Sequence, residues 1–169
     1  MKSLFLLAAF AVSLFATASV LALDATAPKP GKETYDKALQ SYSCVDYDKA
    51  LSLFKANAEA GHGLSQYMTG IMLEQGQGAE EDVSAAYNWY MKAAKQGLSD
   101  AYYALGDMYS RGISVGKNAL QAYVWFDLAA RGGHKLAPDM KQSEAAHLQP
   151  AQLETAKTMA GDWLAKLGR

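Results

Sequence analysis

One cysteine, four prolines and three histidines are all this 169-residue chain has of the residues that close disulfides, break helices or commonly bind metals. Cys44 is alone, so no disulfide can form within the chain and the fold must be held by its core. Its thiol is expected to tuck into a helix turn, with a bond to a partner chain as the alternative in an oxidising compartment. Excess charge is missing as well: 16 basic residues face 17 acidic ones, a net charge of -1. Such a balance offers little to hold a phosphate backbone, so no nucleic acid is expected as partner. Nor is there a polybasic run for an anionic membrane. Half of the residues are hydrophobic, at 50%, which argues against disorder and fits one ordinary domain.

Long apolar runs are confined to the start. Lys2 precedes the run Leu4 to Phe15, and small residues that suit cleavage follow, as Ala16-Thr17-Ala18 or Val20-Leu21-Ala22. Residues 1–22 therefore read as a secretory signal peptide, which places the mature chain in the periplasm or outside the cell. The rival is an uncleaved anchor, since Leu4 to Ala22 is 19 residues long. Against it stand the richness in Ala and Ser and the lack of flanking charge after the stretch. No cysteine lies near either cleavage site to carry a lipid, and no stable membrane insertion is expected after cleavage. Lys2 is the sole charge removed, leaving 15 basic against 17 acidic residues, a charge of -2.

What the chain does have is a period of 36 residues. Asp46, Asp82 and Asn118 recur at that offset, as do Ala50, Ala86 and Ala122, then Phe54, Tyr90 and Phe126, then Gly61, Gly97 and Gly133. Gly70 pairs with Gly106 and Trp89 with Trp125. Asp46, Asp82 and Asn118 stand where a short oxygen-bearing side chain caps a helix, and Gln121 completes a capping-box pattern with Asn118. Ala86, Trp89, Tyr90, Ala93 and Ala94 then share one helical face, copied by Ala122, Trp125, Phe126, Ala129 and Ala130. Gly61, Gly97 and Gly133 are placed to end each helix in the left-handed conformation. A second helix follows, with Tyr102, Leu105, Gly106 and Tyr109 on one side. Glycine inside a helix costs about 1 kcal/mol relative to alanine, so Gly70 and Gly106 point to close helix approach.

No such unit buries its apolar face alone, so the units must stack. The expected architecture is all-α, a right-handed α-α solenoid of 36-residue helix pairs with capping helices. A linker over 23–33 precedes a repeat domain over 34–167, with repeats at about 46–81 and 82–117 and a divergent unit over 118–167. Tyr35, Ala38, Leu39 and Tyr42 predict an initial capping helix. Pro138 and Pro150 suit first helical turns, and Leu153, Ala156, Ala160 and Trp163 predict a last helix facing inward.

Tyr102-x-x-Leu105-Gly106-x-x-Tyr109 followed by Ala122-x-x-x-Phe126 resembles the tetratricopeptide pattern, but the period is longer than that class uses. The string from Ala86 to Gly97, with the loop Gly76-Gln77-Gly78-Ala79-Glu80-Glu81-Asp82, is similar to the Sel-1-like repeat. The second loop departs from that family's pattern, with Ser114 for a glycine and Asn118 for the aspartate. The resemblance implies a bacterial secreted or periplasmic adaptor or regulator that binds another protein or peptide, without a cofactor and not as an enzyme. It also implies that the helix bearing Leu-Gly-x-x-Tyr lines a concave face. Carried onto this chain, the candidate partner-binding residues are Tyr67, Ile71, Glu74, Tyr103, Asp107, Ser110 and Arg111. An exposed aromatic pair with nearby charge suits a peptide or helix groove, while the plainer role for Tyr67 and Tyr103 is to pad the surface between repeats. Two full repeats offer a small surface, so self-association is a further possibility.

Catalytic patterns are weak. His62 and His134 occupy one turn position two repeats apart, roughly 20 Å at about 10 Å per helix layer, too far to share a metal. His147 lies in the divergent end, and all three histidines read most simply as polar turn or surface residues. Ser52-Leu53-Phe54-Lys55 formally matches the Ser-x-x-Lys of penicillin-active enzymes, but Ser-Asp-Asn and Lys-Thr-Gly are absent. A hydrolase of cell-wall or penicillin-like substrates is therefore the alternative function, and a passive part of an envelope assembly is a third.

Overall fold

The computed structural model describes residues 31–168. The expected signal peptide and the linker as far as residue 30 lie outside the described residues. The Asp46 carboxylate accepts from Lys49 N at 3.4 Å, Asp82 from Ala85 N at 2.8 Å, and the Asn118 amide oxygen from Gln121 N at 3.1 Å. They open α2 (Tyr47–Glu59), α4 (Val83–Lys95) and α6 (Ala119–Arg131). Only half of the expected box forms at Asn118, because its own N–H donates to Tyr109 O at 2.9 Å instead of to Gln121. The N–H of Gln149 does reach a side chain three residues on, Gln152 Oε1 at 2.8 Å.

Gly61, Gly97 and Gly133 end these helices with φ of 94°, 82° and 86°. The following amides of His62, Leu98 and His134 reach back to Asn57, Ala93 and Ala129 carbonyls at 3.1, 3.4 and 2.9 Å. This satisfies carbonyls that would otherwise be orphaned and reverses the chain. The partner helices follow as α3 (Gly63–Glu74), α5 (Ser99–Arg111) and α7 (Ala137–Ala145), with α1 (Lys32–Ser43) before them and α8 (Pro150–Lys166) last. The described residues form no strand, and the helices build an all-α array of stacked pairs, an α-α solenoid. Ser114 takes φ 63° in the loop where the pattern calls for glycine. The loop shape is thus preserved, at a conformational cost of about 1–2 kcal/mol.

Small residues set how closely the helices approach. The ring of Tyr90 on α4 covers Gly70 on α3, and the ring of Phe126 on α6 covers Gly106 on α5. Ala50, Ala86 and Ala122 are fully buried between layers, as are Ala93, Ala101 and Ala129. At the first end Ala38 is buried, Tyr35 meets Phe54 edge-on at 5.6 Å, and Asn57 holds both Gly31 N and Gly31 O.

At the other end the pair pattern changes. Helix α7 is pinned to α6 through buried Asp127, which accepts from Arg131 at 2.7 Å and Lys141 at 3.1 Å. Helix α8 packs on α6, burying Ala156 and Ala160. Its Trp163 meets Trp125 at 4.9 Å and donates from Nε1 to Tyr102 Oη at 3.1 Å. Cys44 corrects the expectation of a tucked thiol: it stands at the C-cap of α1 and is exposed. No helix among the described residues is long and apolar enough to cross a membrane.

Candidate functional site

The seven candidate residues lie on α3 and α5, and most share one continuous surface. Leu-Gly-x-x-Tyr spacing turns Leu105, Gly106 and Met108 inward, which leaves Tyr103, Asp107, Ser110 and Arg111 on the other side of α5. On α3 the same geometry buries Gly70, Met72 and Leu73 and leaves Tyr67, Ile71 and Glu74 partly open.

Tyr67 and Tyr103 are half-buried, which corrects the picture of an exposed aromatic pair. The Tyr67 ring lies 5.8 Å from that of Tyr90. Tyr103 packs at 5.4 Å on Phe126 and stacks at 4.1 Å on His134. Both rings therefore pad the repeat array and stay partly open to solvent. Burial pushes the Tyr67 hydroxyl up to about 12, with the carboxylates of Asp100 and Glu74 adding to it. Tyr90 is raised as well, by burial first and then by its hydrogen bond to Glu74 Oε2 at 2.6 Å.

Asp107 and Arg111 are ion-paired at 2.8 Å one turn apart, and that bond raises the guanidinium's pKa. Glu74 adds weakly to this from the neighbouring layer, its own carboxylate being held by the Tyr90 hydroxyl at 2.6 Å. Ser110 is drawn elsewhere: its hydroxyl donates to the buried carboxylate of Glu144 on α7. It serves the contact between layers and is not a free group for a partner. Sequence reasoning missed Asp100, Tyr90 Oη and Glu144, because their roles depend on the layer next door rather than on their own helix.

The histidines have structural tasks. His62 caps α3, its Nδ1 accepting from Ser65 N at 3.2 Å, and its ring lies 5.2 Å from Tyr35. His134 stacks on Tyr103 with Nε2 at 3.7 Å from Asp100. Among the described residues no group of three or more His, Cys, Asp or Glu is placed to hold a metal. Ser52 and Lys55 both lie exposed on α2.

Stacked helix pairs with a partly open aromatic and charged face define a helical-repeat scaffold. The Sel1 repeat matches this sequence over residues 45–62, 63–98 and 99–134, more than half of its length. The chain belongs to the Sel1 repeat family. These segments keep the period read from the sequence but cut it after the glycine turns, which holds α3 with α4 and α5 with α6, the most closely packed pairs. Among solved structures, the chain is similar to a protective antigen present in uropathogenic Escherichia coli strains that displays an SLR fold. The TM-score is 0.75 and the identity 28%, over 79% of this chain and 30% of that one. A Sel1 repeat protein from Oxalobacter formigenes matches with a TM-score of 0.58 and 27% identity, over 63% of this chain and 43% of that one. Chitin synthase regulatory factor 3 of Schizosaccharomyces pombe is 48% identical over 52 residues, which are 30% of this chain and 6% of that protein. The chain thus spans less than half the length of each of these relatives. Sel1 repeats generally mediate protein–protein interaction, and the family is typically a non-enzymatic scaffold.

Proposed function

We propose that this protein is a periplasmic or secreted adaptor or regulator that binds another protein through the α3–α5 face. The observation that carries the reading is the continuity of that face. Tyr67, Ile71 and Glu74 on α3 and Asp107 and Arg111 on α5 occupy the corresponding side of successive layers, so that apolar, aromatic and charged groups are partly or fully open there. Such a mixture suits recognition, in which aromatic anchors supply contact area and flanking charge supplies selectivity. The apolar run at residues 4–15 supports export, and similarity to a regulatory factor of chitin synthase supports a binding rather than a chemical task.

Partner capture by the full chain tests this. Tyr67→Ala combined with Arg111→Glu alters one half-buried and one exposed position and leaves the Tyr103–His134 stack in place. The expected result is loss of the crosslinked partner with unchanged helical circular dichroism. Undiminished capture would contradict the assignment of the face.

A further inference from the structure

Leu64, Asp100 and Leu136 stand at one repeat position in three successive layers, each at or just before the start of its helix. Leu64 is 44% exposed, Leu136 59%, and the Asp100 side chain 51%. These two leucines and Val45 are the exposed large hydrophobics of the described residues, and Val45 sits apart in the α1–α2 turn. Apolar side chains elsewhere in the array go inward at their periodic positions, so two left open on one row are a departure with a location.

Tyr67 and Tyr103 follow Leu64 and Asp100 by three residues and so share their side of the helix. Their half-buried rings floor the row. Next to Asp100 a crevice of about 460 Å³ opens between the start of α5 and the α6–α7 turn, with His134, Lys135 and Leu136 on its far wall. Charge divides the row in a definite way. The Asp100 carboxylate is half open with His134 Nε2 at 3.7 Å, Glu74 is held by the Tyr90 hydroxyl at 2.6 Å, and Arg111 is held by Asp107 at 2.8 Å. A cation is therefore drawn to the Tyr67 side of Asp100 and repelled from the Lys135 side.

We propose that Leu64, Asp100 and Leu136 form a docking row for an extended segment of a partner protein, one that carries a single Lys or Arg between two apolar side chains. At about 10 Å per layer the two leucines are roughly 20 Å apart. An extended chain covers that span in about six residues at roughly 3.3 Å each. Side chains of an extended chain alternate between its two faces, so a basic residue facing the same way as both apolar ones stands about two positions from one and about four from the other, and its charge lies over the Tyr67 ring beside Asp100. This inference rests on the protein-binding reading of the same face and specifies its ligand.

Selection of short random peptides displayed on phage against the full chain tests it. Enriched peptides are expected to share a Lys or Arg with an apolar residue about two positions to one side and another about four to the other. A synthetic peptide of that sequence should lose about tenfold or more in affinity on Asp100→Asn. It should lose a similar factor on Leu64→Ser with Leu136→Ser, substitutions at open positions that leave the core intact. Acidic enriched peptides, absence of enrichment, or affinity unchanged by Asp100→Asn would overturn the docking row. Capture of the natural partner that still depends on Tyr67 and Arg111, alongside enriched peptides with no base, would sink the row while leaving the protein-binding reading standing.

Discussion

The ring of Phe126 rests against the bare backbone of Gly106, so close that a methyl group placed there would come within 2.6 Å of Cδ1. Tyr90 covers Gly70 in the same way, at 2.5 Å, one period earlier. The offset between glycine and ring is identical in the two layers, so this contact is the repeated joint of the array.

Gly106→Ala is consequently expected to destabilise the protein. Alanine gains about 1 kcal/mol of helix propensity. Overpacking against a fully buried ring costs about 1–3 kcal/mol and prevails, because the added methyl would meet three atoms of the Phe126 ring at 3.0 Å or less. The midpoint of urea unfolding should fall, and a midpoint equal to or above that of the parent would contradict the close-approach role.

Asn57 joins the first capping helix to the array. Its Oδ1 accepts from Gly31 N at 2.6 Å, and its Nδ2 donates to Gly31 O at 3.0 Å and Ser65 Oγ at 2.9 Å. Asn57→Ala leaves these groups without that partner and should cost about 1–3 kcal/mol. Faster hydrogen exchange in α1 than in α5 is the expected signature, whereas uniform loosening of all helices would argue against a local clasp.

Alkaline pH should weaken the fold through its tyrosines. Burial raises Tyr67 from its ordinary 10 to about 12, and raises Tyr87 likewise with help from its hydrogen bond to Tyr109 at 3.1 Å. A pKa raised on folding means that the protonated form is favoured by the native state. The contribution is full below about pH 10 and is lost as pH climbs through about 12. Urea midpoints are expected to decline across that window, less steeply in a Tyr67→Phe, Tyr87→Phe variant. A flat profile would contradict the burial of these hydroxyls.

Export is testable without knowing the partner. Alkaline phosphatase fused after residue 33 should be active in a bacterial host, since the enzyme folds only in an oxidising compartment. Activity should vanish when Leu6→Arg and Ala9→Arg interrupt the apolar run. An inactive parent fusion would contradict the signal-peptide reading.

Much of the fold was legible in the sequence because local rules repeat in it. Asp46, Asp82 and Asn118 cap helices for reasons internal to one turn, and Gly61, Gly97 and Gly133 end them for reasons equally local. Contacts between distant, non-periodic positions were not legible. Trp163 reaches Tyr102 because α8 packs on α6 outside the pair pattern, and Asn57 reaches Gly31 because the short turn from Ser43 to Tyr47 takes α1 out of the 36-residue register. The candidate face was legible in position but not in state. Helical spacing placed Tyr67 and Tyr103 on one side, yet only the neighbouring layer shows Tyr90 and His134 covering part of each ring. Ser110 was misjudged on the same ground, since Glu144 lies in the divergent unit where the period no longer predicts neighbours.

The central claim is that the α3–α5 face binds a protein. Hydrogen exchange of the full chain, alone and saturated with its crosslink-identified partner, tests it most directly. Apart from Ser65 N, which His62 caps, the first-turn amides of α3 and α5 lack intrahelical partners and should exchange quickly in the free chain. Binding should slow them together with the amides around Tyr67 and Tyr103. Protection confined to α4, α6 or α8, with the first turns of α3 and α5 unchanged, would contradict the account.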